Sequence, residues 1–440
     1  MNTPICDFVR RYADANGIRL HMPGHKGTGP LGIEHLDITE IAGADSLYEA
    51  SGIIAESEAN ASALFGCPTF YSTEGSSQCI RAMLHLATCG RNRRIAAARN
   101  VHKTFLSAAA LLDLQVDWLY PQAYEAYLSC RITEESLERY FQTCTEVPAA
   151  VYVTSPDYLG NMLYIDKLAE VCHQYGALLL VDNAHGAYLK FLPNSQHPMD
   201  LGADLCCDSA HKTLPVLTGG AYLHIRDAEL AAQAKNALAL FGSTSPSYLI
   251  LQSLDAANAL LAEPAYIRQL VELTFHANGL RQQLTRHGIN AGCNAYEPLK
   301  ITVYPRLHGY TGTEMAEELR NHGIECEFAD PDFLVLMLTP AITPEDLERV
   351  ADVLAALPCR PPVHTDLPHI GRPEQVLSIR EALLSSAETV PVEDALGRIL
   401  ASPSVGCPPA VPIVVCGERI DENAIRCFEY YGIETCCVVK

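Results

Sequence analysis

IDKLAEVCHQYGALLLVDNAH, residues 165 to 185, packs a helix, its stop and a strand with a polar end into one short stretch. Ile165, Leu168, Val171 and Cys172 recur at three- and four-residue intervals, which predicts a helix with one apolar stripe. Gly176 stands where a left-handed helix stop belongs. ALLLV then runs apolar without alternation, as a strand buried on both faces does, and it ends on Asp182 and His185. The same grammar repeats on either side. IAAARN (95–100), AAVYVTSP (149–156) and ADLCCDSAHK (203–212) read as strands with polar ends. LLDL, ITEESLERYFQTC and IDKLAEVCHQYG read as the helices between them. Such alternation predicts an α/β fold with a mostly parallel sheet covered by helices on both faces.

In such sheets ligands gather beyond the carboxyl ends of the strands. Arg99, Asn100 and His102, then Ser155, then Asp182 and His185, then Ser209, His211 and Lys212 all fall at such ends, so they are expected to converge on one site. Farther along, 265–290 reads as a long helix, and ITVYP (301–305) and FLVLMLTP (333–340) as strands of a smaller α/β unit. A proline-rich connection, 358–373, precedes the last segment. The expected domains are an N-terminal segment (1–50), a large domain (51–260), a small α/β domain (261–360) and a C-terminal domain (361–440).

Bulk properties narrow the function. The chain has 440 residues, 48% of them hydrophobic and 19% charged, as in a well-packed globule. A net charge of −21 argues against a nucleic-acid partner, which needs a basic footprint, and tolerates a small cationic ligand. No apolar run approaches the roughly 20 residues of a membrane span, and the polar N-terminus has no signal-peptide core. The 17 cysteines include two adjacent pairs and no C-x-x-C, so free thiols in a reducing cytoplasm are expected, and no metal site.

Four features specify chemistry. STEGSSQCI (72–80) is a Gly-Ser-Ser turn opening the helical pattern IRAMLHLA, and backbone N–H groups with hydroxyls at a helix N-terminus hold phosphate. Asp182 ends an apolar strand, where a carboxylate needs a cation or donors. His102 follows a strand end. Lys212, one of only eight lysines, sits in CDSAHKTLPVLTGG (207–220) between an apolar strand and a turn. A phosphate cradle, an acid, a ring-sized histidine and an amine nucleophile together fit pyridoxal phosphate.

The sequence resembles the pyridoxal-phosphate-dependent Orn/Lys/Arg decarboxylase family, of the aspartate-aminotransferase-like fold type I. The resemblance runs through HMPGHKG (21–27), DITEIAGADSLYEASGIIAESEANASALFG (37–66), the turn at 72–77, RNVHKT (99–104), VDNAHGAYLKF (181–191), SAHKTLP (209–215) and GSTSPSYLILQSLD (242–255). A weaker match follows at PPAVPIVVCGE (408–418). It implies that Lys212 is the Schiff-base lysine, that Asp182 partners the pyridine nitrogen and that His102 stacks on the ring. It implies that Gly75, Ser76, Ser77, Ser209 and His211 hold the phosphate, with Ala184 under the ring and His185 nearby. Ser243, Thr244, Ser245 and Pro246 would lie at a homodimer interface and reach the neighbouring subunit's cofactor.

The departures bear on substrate. Pro156 is followed by Asp157, Tyr158, Leu159 and Gly160, so the usual acid has moved. Glu74 replaces a neutral residue beside the phosphate turn and would repel phosphate unless it points away. The C-terminal motif lacks its customary tyrosine and glycine, and no receiver-like N-terminal domain is expected. The activity implied is decarboxylation of arginine, lysine or ornithine, with Lys212 or His211 returning the proton to Cα. Glu327 and Asp157 are the candidates for the substrate's distal charge. Transamination, another fold type I lyase reaction, or a silent binding homologue are the alternatives.

Overall fold

The computed structural model describes residues 1–121, 126–292, 297–364, 367–368, 371–403 and 409–440. Residues 365–366 and 369–370 of the proline-rich connection, and Pro408 of the C-terminal motif, lie outside the described residues. Seven strands form the main sheet: β1 (Thr69–Ser72), β2 (Arg94–Ala98), β3 (Gln115–Leu119), β4 (Ala150–Thr154), β5 (Leu178–Asp182), β6 (Leu205–Asp208) and β7 (Ala221–Ile225), in the order β1-β7-β6-β5-β4-β2-β3. β2 pairs β3 and β5 pairs β6 in parallel, while β7 runs antiparallel to both β6 and β1. The mostly parallel α/β sheet of the sequence reading is present, with one antiparallel strand, β7, next to the edge strand β1, that the reading did not foresee.

Contacts divide the chain into two compact units. The first comprises Met1–Asn92, Ala149–Val151 and Ile165–Arg268; the second comprises Arg93–Pro148, Tyr152–Tyr164 and Gln269–Lys440. In the first unit the strands are apolar because both faces are covered. Leu179, Leu180 and Val181 of β5 and Leu205, Cys206 and Cys207 of β6 are all wholly buried. Helix Gly75–Thr88 lies against β1, β6 and β7, and helix Ile165–Gln174 against β5. Gly176 takes φ +75°, so the left-handed stop read from the sequence is where it was expected. One reading needs correction. ADLCCDSAHK is not a single strand: β6 ends at Asp208, and Ala210–Thr213 is a helical turn begun by Ser209. Lys212 therefore stands on a turn after the strand, where its amide still bonds back to Ser209 O at 3.0 Å.

The second unit carries β8 (Lys300–Val303), β9 (Phe328–Ala329) and β10 (Leu334–Met337) in the order β8-β10-β9, and β11 (Ala387–Pro391), β12 (Leu400–Ser402) and β13 (Thr435–Val439) in the order β11-β13-β12. Its helices start on explicit caps. Thr133, Thr311, Thr343 and Ser378 each take the N3 amide and are answered by the N3 side chain. The LLDL segment is only half helical, because the helix Lys103–Leu112 ends on Asp113 at φ +57°. A buried ion pair ties distant parts of this unit together. Arg99 Nη2 lies 2.7 Å from Glu418 Oε2, at 5% and 1% exposure. Glu418 Oε2 also accepts the Val415 N–H, and Lys103 N–H donates to Ala410 O at 2.8 Å.

Candidate active site

Three chain segments of the first unit are stitched together around Lys212. Ser209 Oγ donates to Ser76 Oγ at 2.6 Å. The Gly75 amide donates to Gly219 O at 2.7 Å, and the His211 amide donates to Gly220 O at 3.2 Å. Gly219 explains the Gly-Gly after the lysine. It sits at φ +99°, and a Cβ there would lie 2.9 Å from Thr73 O. Only glycine lets the lysine turn and the Gly-Ser-Ser turn approach this closely. Gly75 also needs its left-handed φ of +71°.

Ser76 and Ser77 occupy the first turn of helix Gly75–Thr88, whose N-cap, Glu74, provides no side-chain cap. The first amides of a helix have no partner within it, and they carry the positive end of its dipole. Glu74 is turned to another use: its carboxylate accepts the Ser243 N–H. That contact answers the concern that Glu74 faces a phosphate held on the turn. Ser243 and Thr244 themselves are exposed.

Lys212 Nζ lies 3.0 Å from His185 Nε2. Asp182 is 2% exposed, and its Oδ1 accepts the Ala184 N–H at 3.1 Å and the Cys207 thiol at 3.7 Å. Ala184 is 7% exposed. His211 Nδ1 meets Gly220 O at 3.1 Å, so Nδ1 carries the hydrogen. Burial holds this imidazole below its ordinary pKa, and the Lys212 charge pushes the same way.

A cluster that the sequence reading missed supports this arrangement. Asp208, wholly buried, accepts from His197 Nε2 at 3.0 Å and His224 Nε2 at 3.1 Å on one oxygen. Its other oxygen accepts from Asn183 Nδ2 at 2.7 Å. Asp208 therefore ties the residue after Asp182 to the residue before Ser209. Thr69 Oγ1 lies 3.0 Å from Cys67 O and 2.9 Å from His224 Nδ1, and His197 Nδ1 accepts the Met199 N–H at 3.3 Å. The pKa of Asp208 is driven far below the usual carboxylate range by the two histidines against the effect of burial, and Asp208 lifts that of His224. The three ligand atoms lie within 4.8 Å of one another, a spacing that suits a metal ion as well as these hydrogen bonds. Asp208 at a strand end was the one sequence signal; nothing linked it to His197 or His224.

In the second unit, His102 caps helix Lys103–Leu112, its Nδ1 accepting the Thr104 N–H at 3.1 Å. Arg99 is engaged by Glu418, and Asn100 Nδ2 reaches Leu128 O. Ser155 Oγ accepts the Leu163 N–H. Asp157 is folded into its own turn, accepting from Leu159 N, Asn161 N and Asn161 Nδ2, each at 2.9 Å. Glu327 accepts the Tyr158 hydroxyl at 2.5 Å and is half-buried.

The family model described as Orn/Lys/Arg decarboxylase, major domain, matches residues 3–305, and the model of that family's C-terminal domain matches residues 372–435. The chain belongs to the Orn/Lys/Arg decarboxylase family. This decarboxylase, a carboxy-lyase by that membership, is 30% identical to the arginine decarboxylase of Bacillus subtilis over 96% of its own length and 92% of the relative's. Its fold matches the lysine decarboxylase LdcF of Francisella novicida with a TM-score of 0.83 at 18% identity, covering 100% of this chain and 81% of that one. It also matches a serine palmitoyltransferase variant from S. paucimobilis, with a TM-score of 0.55 at 15% identity over 69% of this chain and 75% of that one. The decarboxylase thus has the α/β fold type I architecture. No helix among its described residues is long and apolar enough to cross a membrane.

Proposed function

We propose that the protein is a pyridoxal-phosphate-dependent decarboxylase of a basic amino acid, with arginine the first substrate to test and lysine and ornithine next. One observation carries the reading: two hydrogen bonds, from Ser209 Oγ to Ser76 Oγ and from the Gly75 amide to Gly219 O, join the segment around Lys212 to the Gly-Ser-Ser helix start. The residues fit the cofactor. Ser76 and Ser77 amides with the Ser76 and Ser209 hydroxyls suit a phosphate dianion, and Gly75 leaves room beside His211. Asp182, buried at the end of β5, suits a protonated pyridine nitrogen. Support also comes from the serine palmitoyltransferase of the same fold, which is described with bound PLP, and from the arginine decarboxylase title of the Bacillus relative.

The cofactor, when bound, supplies a sink for the electron pair left on Cα as CO₂ departs. The chain does the rest. Lys212 presents its amine beside His185, which accepts from it and holds it in place. Ala184 and His102 are assigned to the two faces of the ring. Burial holds the His211 pKa down and its Nδ1–H is tied to Gly220 O, which favours Lys212 as the group that returns the proton to Cα. Glu327 is the better candidate for the substrate's distal cation, since Asp157 already accepts three hydrogen bonds within its own turn. Ser243 and Thr244, exposed in one chain, are assigned to a homodimer interface at which each subunit completes its partner's site, in a cytoplasmic enzyme. The domain limits 1–50, 51–260, 261–360 and 361–440 complete the proposal.

The test is reduction with borohydride followed by peptide mapping, together with a screen of arginine, lysine and ornithine for CO₂ and amine. A pyridoxyl adduct on the SAHKTLP peptide and amine formation from one of the three are expected. An adduct on Lys103 or Lys26 would overturn the site.

A further inference from the structure

A buried side-chain bond crosses between the two loops that carry the candidate active site. The ladder between β5 and β6 ends where the Asn183 N–H donates to Cys207 O at 3.0 Å. Beyond that point the two chains part. Asn183 opens a turn, closed by the Gly186 N–H on Asn183 O at 2.8 Å, that carries Ala184 and His185. Asp208 leads into Ser209 and the helical turn of Lys212. The side chains of Asn183 and Asp208 bridge the gap, Nδ2 donating to Oδ1 at 2.7 Å in a short charge-assisted bond.

Two observations set this bond apart from ordinary packing. The Asp208 carboxylate is locked against rotation, because its other oxygen is held by His197 Nε2 at 3.0 Å and His224 Nε2 at 3.1 Å, and all four residues are wholly buried. Asn183 Oδ1, in contrast, is buried with no hydrogen-bond partner among the described residues. An unmatched buried oxygen is costly, and a leucine of similar shape would fill the place without it. What the amide contributes is its N–H.

We infer that Asn183 and Asp208 are positioning residues for the reaction, a strap that sets the distance between the Asp182 carboxylate and the Lys212 amine. The inference rests on the cofactor reading, in which Asp182 meets the pyridine nitrogen and Lys212 the aldehyde. Asp182 directly precedes Asn183, and its Oδ1 accepts the Ala184 N–H at 3.1 Å and the Cys207 thiol at 3.7 Å. On the other side, the Lys212 N–H donates to Ser209 O at 3.0 Å, and Lys212 Nζ lies 3.0 Å from His185 Nε2 on the Asn183 turn. With the strap cut, the 183–186 turn can slide along the 208–212 turn while the sheet beneath stays paired. Asp182 then shifts relative to the amine that anchors the ring. A misplacement of about 1 Å costs on the order of a hundredfold in rate.

The test reads the Asp182 contact by binding, without turnover. Pyridoxal phosphate and its deaza analogue, in which a C–H replaces the pyridine nitrogen, are each titrated into the apoenzyme. Both carry the same phosphate and aldehyde, so the ratio of their dissociation constants isolates the contact at the ring nitrogen. The wild type is expected to favour pyridoxal phosphate by about a hundredfold or more, as for a buried ion pair. Asn183→Leu keeps the side-chain shape and removes the donor. It should lower that ratio by about tenfold or more, leave affinity for the analogue within about threefold, and lower kcat by on the order of a hundredfold with KM little changed. Asn183→Ala, which puts no bulk against the carboxylate, should do the same. A merely structural role would weaken both ligands alike and leave the ratio where it was. That result in either folded variant overturns the inference and leaves the cofactor reading intact. A wild type that binds neither ligand, or both equally, overturns the cofactor reading, and the strap falls with it.

Discussion

Replacing Asp208 with asparagine removes one negative charge and changes no heavy-atom volume. In the wild type that charge faces His224 Nε2 at 3.1 Å, His197 Nε2 at 3.0 Å and the Asn183 amide at 2.7 Å, all in the interior. Asparagine offers one acceptor oxygen for three donors, so one donor always meets its NH₂ group. Removing one member of a buried ion pair costs about 3–5 kcal/mol, because the partner is left charged or must lose its proton. The loss also depends on pH. The pKa of His224 is raised on folding, so its contribution is complete below its unfolded value near 6.5 and disappears as pH climbs through the folded one. That of Asp208 is lowered, so its contribution is complete above about 4 and is lost only in strong acid. The wild-type advantage over Asp208→Asn should therefore be greatest between about pH 5 and 6 and should shrink as pH climbs through the raised folded pKa of His224. Urea unfolding at constant slope, measured at pH 5.5 and pH 9, gives both numbers. A difference below about 1 kcal/mol at pH 5.5, or the same difference at both pH values, would refute the ionic assignment of the cluster.

Asp182→Asn should leave the fold and much of the cofactor affinity in place while lowering kcat by orders of magnitude, since an amide cannot keep the pyridine nitrogen protonated. Turnover within a few-fold of wild type would make Asp182 a structural acid. Mixing inactive Lys212→Ala subunits with inactive Ser243→Ala/Thr244→Ala subunits should restore activity, because one site of each mixed dimer is built wholly from intact parts. No recovery after demonstrated subunit exchange would reject the shared site. Arg99→Met should destabilise the protein by about 3–5 kcal/mol by leaving Glu418 buried and unpaired, and the double variant Arg99→Met/Glu418→Leu should recover most of that loss. A double variant no more stable than the single one would show that the pair is not the source.

The sheet was legible because β2, β4, β5 and β6 are short continuous apolar runs with helical periodicity between them. β7 and β1 were harder. AYLHI contains His224, whose burial makes sense only beside Asp208, and TFYS is too short to show a period. Lys212 and the Gly-Ser-Ser turn were legible from residue type and from the family motifs, and Gly219 gives their adjacency a steric reason. Asp208 was not, because its partners lie 11 and 16 residues away and only the folded chain brings them together. Asp157 illustrates the reverse case. It was an attractive acid in sequence, yet it accepts three hydrogen bonds within its own turn of five residues.

The ion pair between Arg99 and Glu418 sets a schedule for the growing chain. The two residues are 319 positions apart, and ribosomes add roughly 5–20 residues per second. The guanidinium three residues before His102 therefore waits about 16 to 64 s for its carboxylate. During that interval β2 cannot bury Arg99 in its final surroundings without stranding a charge. The segment that bears the helix-capping His102 is thus held back from its finished form until nearly the whole chain has been made.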